Sequence, residues 1–237
     1  MKHQKYLVII GDVVKSREIK NREKFQENFH NVIEKELKRV RVFETNNIVS
    51  SFTITIGDEF QGVLKNASHL FKFIDDLEYG LNSILAFEQT ERYALRYGIG
   101  VGLITTQINK KAAIGMDGPA FYNARKAIEN AKKFNLKYCF EGSLEKDDAL
   151  NILLQWLNQE NKKWNFRKFQ IVKLYKDAWT QKQIAESLEI SQPAVSKILK
   201  NTPVTLAMKS EQLIEYEINK IIDKEATFQY SMVAESE

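Results

Sequence analysis

Between Leu95 and Ile104 the chain reads Leu-Arg-Tyr-Gly-Ile-Gly-Val-Gly-Leu-Ile, an aliphatic run in which Gly98, Gly100 and Gly102 occupy alternate positions. Strand side chains alternate between faces, so the three glycines share one face and Tyr97, Ile99 and Val101 share the other. Glycine weakens a strand because it has no side chain to pack, and three on one face make sense only where something approaches the backbone closely. This run therefore predicts a sheet with a helix, at about 21–41 or 120–133, or a ligand laid directly across it.

The N-terminal half supplies the other parts of such a sheet. Tyr6 to Val14 is β-branched and aliphatic and contains Gly11-Asp12, which puts Asp12 at the C-terminal end of a first strand. Phe25, Phe29, Val32, Ile33, Leu37 and Val40 recur at spacings of three and four, an amphipathic helix over 21–41. Residues 48–64 read as a β-hairpin, with Phe52, Ile54 and Ile56 alternating against threonines and Gly57-Asp58-Glu59 at the tip. A second helix is expected over 68–87, a short strand over 112–115, a helix over 120–133 opened by Pro119, and a last strand over 136–140. This order predicts an α+β domain with helices on one face of a mostly antiparallel sheet.

Beyond Phe140 the pattern turns helical. Residues 141–148 are polar and acidic and read as a linker, followed by helices at 148–157 and 164–176. In 180–200, Ile184, Ala185, Leu188, Ile190, Val195, Ile198 and Leu199 fall where two short helices pack across a tight turn, as in a helix-turn-helix. Ser191 is a good N-cap for the second helix and Pro193 fits its first turn. Glu189 stands where many such turns place glycine to accommodate positive φ. A final helix, 206–222, carries an apolar stripe of Leu213, Ile214, Ile218, Ile221 and Ile222, for burial against a partner chain or the reader itself.

A chain of 237 residues has room for two domains, here 1–145 and 146–230. No run approaches the length of a membrane span and no secretory leader is apparent, so a cytoplasmic protein is expected. The single cysteine, Cys139, excludes an intrachain disulfide and reads as a small buried hydrophobe. Residues 155–203 hold 9 basic and 4 acidic side chains, including Lys173, Lys176, Lys197 and Lys200. Such a cluster is either a phosphate-binding footprint or a solvated surface.

Two carboxylates brought together from a strand end and a neighbouring hairpin can hold Mg²⁺ or Mn²⁺, which favour oxygen ligands and retain waters for nucleotide phosphates. Asp12 and Asp58 are placed for this, with Glu59 as a further candidate; turn roles are the alternative. The element order, the Gly57-Asp58 hairpin and Arg96-Tyr97-Gly98-Ile99-Gly100-Val101-Gly102 resemble the palm of class III nucleotide cyclases and GGDEF-type diguanylate cyclases. Ile114-Gly115-Met116-Asp117-Gly118-Pro119-Ala120-Phe121-Tyr122-Asn123-Ala124-Arg125 resembles their downstream segment of glycines, asparagine and arginine. As a whole the chain resembles the SatD family, which pairs this kind of domain with a C-terminal helix-turn-helix. That resemblance implies a nucleotide-cyclase-like, ferredoxin-like palm followed by an all-α helix-turn-helix domain. Gly57, Lys15 and Arg125 are the nucleotide candidates; Lys15, Arg17, Arg125 and Lys126 are either cations for a transferring phosphoryl group or surface charges.

The sequence departs from the cyclases where catalysis is concerned. Thr53-Ile54-Thr55-Ile56 contains no adenine-reading lysine, Ile56 replaces the first GGDEF glycine, and Asn123 and Arg125 are two residues apart rather than one helical turn. In a helix-turn-helix the second helix presents its N-terminal residues to base edges. Ser191, Gln192, Ala194, Ser196, Lys197 and Lys200 are thus the DNA-contact candidates, with double-stranded DNA as partner and a homodimer as a natural assembly. The readings open at this point are a DNA-binding regulator biased by a nucleotide, an active metal-dependent nucleotidyl cyclase or oligonucleotide synthetase with an accessory helical domain, and an interaction scaffold.

Overall fold

A computed structural model describes residues 4–14, 16, 22–43, 47–85 and 94–234. Five strands, β1 (Lys5–Val13), β2 (Ile48–Ile56), β3 (Glu59–Leu64), β4 (Leu95–Leu103) and β5 (Tyr138–Glu141), form one sheet in the order β2-β3-β1-β4-β5. All neighbours are antiparallel except β4 and β5. The helices are α1 (Arg22–Phe43), α2 (Leu70–Leu85), α3 (Pro119–Lys133), α4 (Asp147–Asn161), α5 (Phe166–Lys176), α6 (Gln181–Ser187), α7 (Gln192–Lys200) and α8 (Val204–Ala234).

Helices cover both faces of the sheet, not one as the element order implied. Leu7, Ile9, Phe60, Tyr97, Ile99 and Val101 point to a core shared with Phe25, Phe29, Val32 and Ile33 of α1 and with Leu70, Ile74, Leu77 and Leu81 of α2. On the other face Val8, Ile10 and Val63 meet Ala120, Phe121, Ala124 and Ile128 of α3. This is the glycine face. A Cβ on Gly98 would lie 2.3 Å from Ile128 N, one on Gly100 2.1 Å from Ala124 N, and one on Gly102 2.6 Å from Ala120 N. The expected close approach is therefore helix backbone on strand backbone, made by the helix at 119–133.

The 141–148 segment is a tight, tied-down turn, unlike the linker expected. Asp147 accepts hydrogen bonds from the N–H groups of Gly142 and Ser143, and Asn151 exchanges two 2.8 Å hydrogen bonds with the backbone of Phe140. An amide side chain thereby satisfies the open edge of β5. Leu150, Leu154 and Leu157 of α4 and Ile214, Ile218, Ile221 and Ile222 of α8 join the core of the sheet domain, so hydrophobic packing runs across the expected boundary at 145. The stripe of α8 is buried on this core, neither on the short helices nor on a partner chain, and Leu213 is left exposed. Residues 112–115 form no strand; Ala113 instead lies against the edge of β2, where its N–H donates to the Ser51 carbonyl at 3.1 Å. Cys139 is free and buried among Ala127 and Ala131, and burial pushes its thiol up to about 11.

Candidate functional site

Asp12 is the penultimate residue of β1. Its neighbour Gly11 pairs with Phe60, which sets Asp12 across from Glu59, and on its other side Asp12 pairs with Arg96 of β4. Glu59, Asp12 and Arg96 thus form a row across three strands on the face that α3 covers. Like charges directly opposed on paired strands are unfavourable. Cations supply the balance here. Lys132 Nζ lies 3.0 Å from Asp12 Oδ2 and 3.8 Å from Glu59 Oε2, while the Arg125 fork donates to both Glu59 oxygens at 2.7 Å. Arg96 Nη1 is 3.5 Å from Asp12 Oδ1, and its Nε donates to the Leu136 carbonyl at 3.3 Å.

The electrostatics keep Glu59 ionised. Burial raises its pKa, but the hydrogen bonds and charge of Arg125, the charge of Lys132 and the Thr55 hydroxyl outweigh it and hold the carboxyl below its ordinary value. The same Glu59 contact raises the pKa of Arg125 further. Asp12 is 7% exposed, and its buried Oδ1 accepts no hydrogen bond among the described residues, with Arg96 beside it as an ion-pair partner only. A carboxylate oxygen left in this state has an unused lone pair, which suits a hard cation.

The other residues singled out in the sequence fall around this row. Gly57 and Asp58 form the two-residue loop closing the hairpin, with Ile56 paired to Glu59. Gly57 has φ 64 and Asp58 a negative φ, the pattern of a type II′ turn. The carboxylate facing Asp12 in register is therefore Glu59, and half-buried Asp58 sits one residue further along, on the bend. Asn123 is occupied structurally, donating to the Val101 carbonyl at 2.8 Å and tying α3 to β4. Lys126 reaches outward to Glu141 at 2.8 Å. Lys15 and Arg17 lie outside the described residues. Among the described residues, no group of three or more His, Cys, Asp or Glu side chains is gathered for metal coordination.

Lys132 and Arg96 are the members that sequence reasoning missed as site residues. A signal existed for each. Lys132 follows Arg125 by seven residues, which on a helix returns to the same face. Arg96 is two residues before Gly98, hence on the glycine face.

A second candidate surface is carried by α5, α6 and α7. Ile171 and Leu174 of α5 pack with Ile184, Ala185 and Leu188 at α6 and Val195 of α7. Thr180 and Gln183 form a reciprocal capping box at the start of α6, and the Ser191 hydroxyl accepts from Ala194 N at the start of α7. Between the two helices Glu189 has φ 53, the left-handed conformation that glycine adopts more easily. Along α7, Gln192, Lys197 and Lys200 are exposed, Ala194 and Ser196 partly so, and Val195 is buried. Ser191 is exposed but already committed to its cap.

Part of the expected basic footprint is not on this surface. Lys173 lies 2.6 Å from Asp76 and 2.5 Å from Asp177, and Lys176 lies 2.6 Å from Asp75 and 2.7 Å from Glu211. These buried pairs join α5 to α2 and α8. Charge counts along the sequence could not separate them from solvent-facing lysines, because the α2 partner of Lys176 lies 101 residues upstream and its α8 partner 35 residues downstream.

The chain was compared with known proteins. Solved structures that match include the catalytic core of a rhodopsin-guanylyl cyclase in complex with ATPalphaS, at 17% identity over 54% of this chain and 72% of that one, TM-score 0.36. A bacterial light-regulated adenylyl cyclase matches at 11% identity over 56% and 42%, TM-score 0.41. An adenylate cyclase from Trypanosoma brucei in its monomeric state matches at 14% over 52% and 67%, TM-score 0.36. Curated proteins give no match. The model of the SatD family matches residues 6–217, from β1 into the middle of α8. By that match the chain belongs to the SatD family.

Proposed function

We propose that this protein is a cytoplasmic, DNA-binding regulator in which α6 and α7 form a helix-turn-helix reader and the sheet domain is a cyclase-like palm that binds a nucleotide with Mg²⁺ or Mn²⁺. The observation that carries the reader is the presentation of α7. Its N-terminus is capped by Ser191 and opened by Pro193, its inner side is anchored by Val195, and Gln192, Lys197 and Lys200 face solvent. A short helix held this way can enter a major groove, with Gln192, Ala194 and Ser196 toward base edges and Lys197 and Lys200 on phosphates.

The palm's part in the proposal rests on the Asp12 row. Asp12 and Glu59, with Asp58 on the adjoining bend, would hold the divalent ion, and Arg125 would turn from Glu59 toward a phosphate. The ion would neutralise phosphate charge. Gly57, with no side chain, would let the nucleotide approach the backbone at the hairpin tip, and Lys15, two residues after β1 in the sequence, would meet a phosphate. A ligand that changes this row shifts α3 and the sheet. The ionic joint of Asp75, Asp76, Lys173, Lys176 and Glu211 would then carry the change from the palm to α5 and the reader, provided the ligand binds the two arrangements unequally. A homodimer is part of the proposal, because paired half-sites strengthen a weak single reader. Leu206, Leu213 and Tyr216, exposed along α8, offer it an apolar surface.

A second reading, an active nucleotidyl cyclase or oligonucleotide synthetase, is favoured only by Asp12 Oδ1, which accepts no hydrogen bond among the described residues. The test is duplex affinity with and without each nucleoside triphosphate and Mg²⁺, alongside mass analysis of the nucleotide for product. The proposal expects a nucleotide-dependent change in affinity that Asp58→Asn abolishes, with little or no product. Robust product formation would favour the second reading, and an affinity indifferent to every nucleotide would remove the palm's regulatory part.

A further inference from the structure

We propose that Lys132 is a built-in counter-cation for the Asp12–Glu59 pair, filling the position of a divalent ion until a metal–nucleotide complex displaces it onto the phosphates. This rests on the palm reading above. The geometry carries it: one ammonium lies within 4 Å of both carboxylates, where a shared ion would have to sit. The three cations around the row differ in how firmly they are fixed. Arg96 is 12% exposed and anchored to the Leu136 carbonyl, and Arg125 is engaged through both arms of its fork. Lys132 is a single point charge on a flexible four-carbon stem, 42% exposed, in the last turn of α3. Unlike Arg96 it has no bond to the Leu136 carbonyl to break, and unlike Arg125 it holds its carboxylates through one ammonium rather than a two-armed fork.

Its departure would leave Asp12 beside Arg96 alone, at 3.5 Å, and Glu59 on the Arg125 fork, with Asp12 Oδ1 accepting no hydrogen bond among the described residues and open to a hard cation in place of the amine. Lys132 would then be free to swing toward solvent, on the side where phosphates accompanying the ion would lie. Lys132 acts here as a positioning residue, setting whether the carboxylates accept metal at all. Metal on its own competes with a tethered amine already in place, whereas metal with a triphosphate offers that amine a new partner.

The full-length protein should be titrated with Mn²⁺ alone, without nucleotide, and bound ion followed by electron paramagnetic resonance. Wild type, Lys132→Met, Lys132→Arg and Lys132→Met/Asp12→Asn would be compared, with circular dichroism confirming that each folds. Removing a positive charge beside the site should strengthen Mn²⁺ binding about tenfold or more in Lys132→Met. Lys132→Arg should stay near wild type, and the added Asp12→Asn should cancel the gain. Equal binding by wild type and Lys132→Met would overturn the role of Lys132 while leaving the metal reading intact. Absence of specific Mn²⁺ binding in Lys132→Met would overturn this inference and the metal reading together.

Discussion

Replacing Gly100 is the most demanding test of how the sheet and α3 are joined. An added Cβ would sit 2.1 Å from Ala124 N, 2.6 Å from Ala120 O and 2.7 Å from Ala124 Cα, against 3.4–4 Å for ordinary contact. All three atoms are backbone, so no rotamer change relieves the clash. The helix must retreat by on the order of 1 Å, loosening the packing of Ala120, Phe121, Ala124, Ala127, Ile128 and Ala131. Overpacking of this kind costs about 1–3 kcal/mol, or roughly 2–12 °C in Tm for a chain this long. Gly100→Val should sit at or beyond the upper end and Gly100→Ala lower. Gly115→Ala is the control: it meets nothing within 4 Å but carries φ +73, so it reports backbone strain alone. Calorimetry should rank Gly100→Val well below Gly115→Ala. An unchanged Tm for Gly100→Val, or equal losses in both, would refute the close-approach argument.

Other perturbations have signs fixed by the structure. Glu189→Gly should raise stability by about 1 kcal/mol, measured by urea denaturation, because glycine adopts the φ of 53 without the left-handed penalty. Lys176→Met should destabilise by about 3–5 kcal/mol, since it strands Asp75 and Glu211 in a buried joint; a loss below about 1 kcal/mol would mean that the joint is solvated. Burial, with Asp75 and Glu215 nearby, outweighs Lys176 and raises the Glu211 carboxyl from 4.5 to about 7. The folded state therefore holds a proton that the unfolded state releases, and this contribution, fully present below about pH 4.5, is lost as pH rises through 7. Glu211→Gln should flatten the stability profile between those values, and an unchanged slope would place its source elsewhere.

Local periodicity made most elements legible. The stripe Phe25, Phe29, Val32 and Ile33 identifies its helix because it buries one face, the alternation at 52–56 marks a strand, and the three glycines call for a helix or a ligand laid on the sheet. What periodicity does not carry is the partner. Ile214, Ile218, Ile221 and Ile222 read as a stripe in need of cover, but only the tertiary structure puts them on the core of the sheet domain rather than on the reader. Lys173 and Lys176 read as phosphate contacts or solvated charges for the same reason: their α2 partners Asp76 and Asp75 are distant in sequence. At the site, Asp12 was legible from its strand end. Between the two partner candidates, Asp58 and Glu59, the sequence did not choose: a two-residue hairpin loop puts Glu59 opposite Asp12 and leaves Asp58 on the bend, a one-residue difference that alternation turns into a change of face.

A salt titration is the sharpest probe of the proposed reading of duplex DNA by α7. Fluorescence anisotropy with a pool of randomised duplexes should give binding at low salt that weakens steeply as salt rises, since each lysine–phosphate contact releases counterions. The exposed Lys197 and Lys200 should account for part of that slope. The variant Lys197→Ala/Lys200→Ala should bind more weakly, with a slope shallower by about one unit per lost contact. No duplex binding at low salt, or superimposable salt curves for wild type and the double variant, would contradict the account and leave α6 and α7 as a protein-docking unit.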